Sequence, residues 1–73
     1  MIRNKDVAKS VNKILLDCSS EINASILYVK ENGSEEDFLV YRRAMSKILG
    51  ELLLEGLNPL YADNPELKPD GFD

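Results

Sequence analysis

A chain of 73 residues with nine Lys+Arg against thirteen Asp+Glu, net −4, is sized for one small domain. It holds a single cysteine, Cys18, and neither histidine nor tryptophan, which excludes an internal disulfide framework, a Cys/His zinc site and a histidine-based catalytic unit. No uninterrupted apolar run approaches the roughly 20 residues of a bilayer span, and Met1-Ile2-Arg3-Asn4-Lys5-Asp6 lacks the apolar core of a signal peptide. The expectation is a soluble, reduced, cytoplasmic protein with no cofactor, no metal and no membrane contact, forming one helical domain over residues 1–73.

The first predicted helix covers about residues 5–31. Val7, Val11, Ile14, Cys18, Ile22, Ser25 and Val29 recur at steps of four and three, and Ala8, Leu15 and Ile26 widen the stripe. Leu16 and Leu27 fall on the opposite side and need another neighbour. Asn32-Gly33 then reads as a helix end, with glycine expected to take the left-handed conformation. Ser34 follows as an N-cap with Asp37 three residues on, and Glu35, Glu36 and Asp37 place negative charge on the positive end of a second helix.

That second helix is predicted over about residues 35–57. Phe38, Tyr41, Met45, Ile48 and Leu52 repeat at alternating steps of three and four, a coiled-coil-like seam. Leu39, Leu49, Leu53 and Leu57 form a second apolar set, with the small Ser46 and Gly50 among them. Pro59 is expected to stop the helix near Leu57-Asn58, because it lacks an N–H and biases its predecessor away from helix. An antiparallel hairpin about Gly33-Ser34 matches Val29 with Phe38, Ile26 with Tyr41, Ile22 with Met45, Cys18 with Leu49 and Leu15 with Leu52 in one register. The core predicted from it comprises Val11, Leu15, Cys18, Ile22, Ile26, Phe38, Tyr41, Met45, Ile48 and Leu52. Beyond it, Asn58-Pro59 and Asn64-Pro65 mark short turns or helices. Leu60, Tyr61 and Leu67 are expected to fold over the open end of the hairpin, and residues 69–73 to fray.

Two helices bury one stripe each, too little for a chain that is 44% hydrophobic. The predicted architecture is therefore all-α, a helical hairpin assembling as a dimeric four-helix bundle. On a helical wheel Leu39, Ser46, Gly50, Leu53 and Leu57 share an arc away from the seam. Together with Leu16 and Leu27 they are the predicted contact with a second copy or another helical protein. A glycine within a helix costs about 1 kcal/mol relative to alanine, so Gly50 reads as a point of close approach.

The chemistry-bearing residues are few. Cys18, between Ile14 and Ile22, reads as a small core hydrophobe rather than a nucleophile. Asp17/Glu21 and Glu51/Glu55 are i, i+4 carboxylate pairs that read as solvated surface, since a bundle di-metal site would add histidines. Tyr28, Tyr41 and Tyr61 read as core or rim packing. No residue set points to an enzyme. The functional expectation is a small interaction module: a homodimeric adaptor, small chaperone or regulatory subunit. The alternative is a regulator that contacts nucleic acid through the Lys5, Lys9 and Lys13 line. An acidic chain without interleaved aromatics makes nucleic acid the weaker partner.

Overall fold

A computed structural model describes residues 1–70, and all regular structure there is helical. The chain forms a long antiparallel hairpin whose second arm ends in a folded-back segment. Residues 71–73, part of the tail expected to fray, lie outside the described residues.

Helix α1 spans Lys5–Asn32. Asn4 starts it, its side-chain oxygen accepting the N–H groups of Asp6 and Val7, each at 3.1 Å, which satisfies two donors that the first turn leaves unpaired. At the other end Gly33 is extended (φ −103°, ψ −179°), not left-handed as expected. It donates its N–H to the Val29 carbonyl at 2.8 Å. A Cβ at this position would sit 2.9 Å from that same carbonyl oxygen. Close backbone approach, rather than positive φ, is what requires glycine here.

Helix α2 spans Glu35–Glu51, and the Ser34 hydroxyl accepts the Asp37 N–H at 3.0 Å as its N-cap. Lys30 and Arg42 sit 5.9 and 5.6 Å from the centre of the Phe38 ring, so the turn end is closed by one aromatic ring and two cations. The second arm does not stop before Pro59. It passes through a π-helical segment, Leu52–Leu57, into helix α3, Asn58–Asp63, with Asn58 itself helical at φ −60°, ψ −47°. In a regular α-helix the Pro59 ring would collide with the carbonyl four residues back, at Glu55. The wider π turns relieve this, with the Asn58 N–H bonded to the Leu53 carbonyl five residues back. A single 3₁₀ turn, Pro65–Leu67, completes the described structure.

The π segment also moves the register. Near the turn Ser25 Oγ and Tyr41 OH are 2.8 Å apart, within one residue of the expected pairing. Past the segment Asn12, which an unbroken hairpin register would set opposite Glu55, accepts a hydrogen bond from the Tyr61 hydroxyl. Leu15, expected opposite Leu52, lies against Gly56, where an added Cβ would be 3.5 Å away. Wider turns consume more residues per unit length, so pairing slips toward higher numbers.

The core sits at the open end of the hairpin. Ala8, Leu57, Leu60 and Tyr61 are buried, with Ile2, Val11, Leu15, Leu16, Leu52, Leu53 and Leu67 packed around them. The fold-back of Leu60, Tyr61 and Leu67 is thus the centre of the fold rather than its cover. Along the rest of the hairpin, Ile22, Ile26, Phe38, Tyr41 and Met45 are half-buried. Two residues expected in the core are not there: Cys18 is exposed and Ile48 is 46% exposed. The contacting arc of α1 is rotated toward Asn12, Leu16 and Ser19, because the C-terminal segment packs on that side. On α2 a seven-residue seam drifts by about 20° per heptad in a straight helix, and half-buried Leu49 takes the place of Ile48.

Candidate functional site

At the open end residues 1–5 are fastened to residues 63–66. Asn64 is fully buried, and its amide donates to the carbonyls of Ile2 at 2.7 Å and Leu60 at 3.0 Å. Its oxygen accepts from Lys5 Nζ at 2.9 Å. The same ammonium donates to the Asp63 carbonyl at 3.2 Å and pairs with Glu66 at 3.2 Å, while the Met1 amine pairs with the Asp63 carboxylate. Burying an amide is costly unless its donors and acceptor are matched, and here all are. Asn64 gave no signal in the sequence beyond its place before Pro65.

These contacts make the clasp sensitive to acid. Hydrogen bonding and charge from the Met1 amine, with smaller contributions from Arg3 and Lys5, hold the Asp63 carboxyl below its ordinary value. Glu66 is lowered by its own backbone N–H and then by Lys5. A carboxylate whose folded pKa is depressed adds stability that is present above its unfolded pKa and is lost as pH falls through the folded one. The melting temperature should therefore drop as pH falls below about 4. A Lys5→Met variant should show a shallower drop, which a pH series of thermal melts of the two proteins would measure. Equal slopes would disconnect Lys5 from the acid sensitivity and leave the Met1–Asp63 pair as its source.

The lysine line is largely occupied within the chain. Lys5 belongs to the clasp, and Lys13 pairs with Asp17 at 2.7 Å, which raises the Lys13 pKa by hydrogen bonding and then by charge. Lys9 lies between them, exposed. Asp17/Glu21 and Glu51/Glu55 are exposed, and Glu55 falls in the π segment, where i, i+4 stacking no longer holds. No group of three or more His, Cys, Asp or Glu side chains among the described residues is placed to hold a metal ion. Tyr61 is buried, and burial raises its hydroxyl pKa. Tyr41 bonds Ser25, and Tyr28 is exposed. No helix among the described residues is long and apolar enough to cross a membrane.

The predicted partner residues are divided by the fold. Leu57, at 2% exposure, is interior and is withdrawn from any contact surface; the π segment turns it toward α1. Leu16 and Leu53 are half-buried against the core. Leu27, Leu39 and Ser46 are exposed, and a Cβ on Gly50 would meet nothing within 4 Å. Within the single chain, then, nothing approaches Gly50.

The hairpin has two broad faces. On one, a groove is lined by Leu16, Ser19, Asn23, Leu49, Leu52 and Leu53, and Leu27 and Leu39 continue that side. On the other, Tyr28, Asn32, Val40, Tyr41 and Ala44 line a groove near the turn. Val7, Ile14 and Cys18 share the Tyr28 side of α1 within about a quarter turn, and Ile48 shares the Val40 side of α2. Sequence periodicity put Val7, Ile14 and Cys18 on the apolar stripe of the first helix, and Cys18 in the hairpin core; the position of the C-terminal segment shows that all three face outward. Compared with known proteins, the chain matches no family model, no curated protein and no solved structure.

Proposed function

We propose that the chain is a small non-enzymatic interaction module, a homodimeric adaptor, small chaperone or regulatory subunit, in which two hairpins pair as a four-helix bundle. One observation carries this reading: the single chain is too exposed for its mass. Its accessible surface is 5442 Å², against about 4,500 Å² for a compact chain of this size. Its radius of gyration is 14.5 Å over extents of 44 × 20 × 16 Å, where about 11 Å is usual. The large exposed apolar side chains include Val7, Ile14, Leu27, Tyr28, Leu39, Val40, Ile48 and Leu54. Paired hairpins would cover much of this surface, and the chain's charge division, basic in residues 1–30 and acidic beyond, favours a basic arm lying beside an acidic one.

Sedimentation equilibrium across a wide range of protein concentration tests the reading. The expected result is a reversible dimer. A folded, strictly monomeric protein at every concentration would overturn it. The nucleic-acid alternative has less support, since two of its three lysines already have carboxylate partners.

A further inference from the structure

Resting on that reading, we infer that a second copy of this chain docks on the face formed by Val7, Ile14, Cys18 and Tyr28 of α1 with Val40 and Ile48 of α2. This is the face opposite the Leu39–Gly50–Leu53 arc. Ile14, Tyr28 and Val40 are 58%, 68% and 67% exposed, the highest values among the apolar side chains of the two long helices. From Val7 to Tyr28 this arc of α1 carries one charged residue, Glu21, with the small Ser10, Cys18 and Ser25 between the larger side chains. Larger residues separated by small ones leave the holes into which a facing helix can place its own side chains.

The area fits one further copy as the occupant. The surface in excess of a compact chain is about 900 Å², and a stable dimer buries about 800 Å² on each partner. One further hairpin of the same size supplies that coverage. A self-complementary contact also needs no partner other than the chain itself. On the opposite face Leu27 and Leu39 are 55% and 49% exposed, but Leu16, Leu49 and Leu53 between them are already half-buried within the chain, which leaves less to cover.

Cys18 is the built-in reporter, an exposed thiol in the middle of the proposed contact. Its reaction with 5,5′-dithiobis(2-nitrobenzoate) should slow at least tenfold between protein concentrations well below and well above the dimer midpoint. A Cys18→Ser, Asn23→Cys variant moves the thiol to the other face, and its rate should be unchanged across the same range. Ile14→Asp should shift the dimer midpoint to higher concentration by tenfold or more, whereas Gly50→Leu should leave it in place. A dimer in which Cys18 reacts equally fast at all concentrations, or in which only the Asn23→Cys thiol is protected, overturns this face and leaves the interaction module standing. A chain that sediments as a monomer throughout overturns both.

Discussion

Replacing Asn64 with alanine is expected to destabilise the chain by about 2–4 kcal/mol, lowering the thermal midpoint by about 10–25 °C at fixed protein concentration. The loss exceeds that of an ordinary hydrogen bond because the partners stay where they are. The Ile2 carbonyl would lose its amide donor, the Leu60 carbonyl would keep only the backbone N–H of residue 64, and Lys5 would lose an acceptor in a partly buried position. Asn64→Asp separates these contributions. It keeps the oxygen that Lys5 bonds but, when ionised, removes both donors and sets a carboxylate against two carbonyls. It should be at least as damaging as alanine at neutral pH. An aspartate variant that melts with wild type would show that the donors contribute nothing and that Lys5 alone holds the end closed.

Leu60→Ala should cost about 2–5 kcal/mol by leaving a cavity among Ala8, Leu57 and Tyr61. Leu60 is fully buried, and only four hydrophobic residues are buried among the described residues, so little other packing remains to compensate. Leu54→Ala, six residues earlier and 60% exposed, removes the same atoms and should stay within about 0.5 kcal/mol of wild type. Urea titrations of the pair measure the contrast. Equal midpoints would mean that the open end is not the core, and the register shift through the π segment would then be misplaced.

Local chemistry accounts for what was legible in the sequence. The helical hairpin, its break at Asn32-Gly33-Ser34 and the Ser34 cap depend on residues within a few positions of each other. The fold-back of Leu60 and Tyr61 followed from apolar residues lying beyond the hairpin with nowhere else to be buried. Three features depended on geometry that periodicity does not carry. Pro59 reads as a stop only if the preceding turns are α-helical; the π segment removes that premise. Once pairing slipped past it, Asn12 met Tyr61, and the inward arc of α1 turned away from Cys18. Ile48 was placed in the core by a seven-residue repeat that a straight helix does not keep. Asn64 was missed for a different reason: a buried asparagine and a surface asparagine look the same until its three partners, two of them at the far end of the chain, are in place.

The clasp also has a consequence for rates. The Asn64–Ile2 bond joins positions 62 apart and Lys5–Asn64 joins positions 59 apart, whereas the Ser25–Tyr41 bond spans only 16. Contacts near the turn close a short loop and can form early; those at the clasp wait until the hairpin has brought the two ends together. Interactions absent from the folding transition state act almost wholly on the escape rate from the native state. Removing the amide or ammonium that ties the ends together is therefore expected to speed unfolding with little change in the folding rate, whereas changes near the turn, around Phe38, are expected to slow folding.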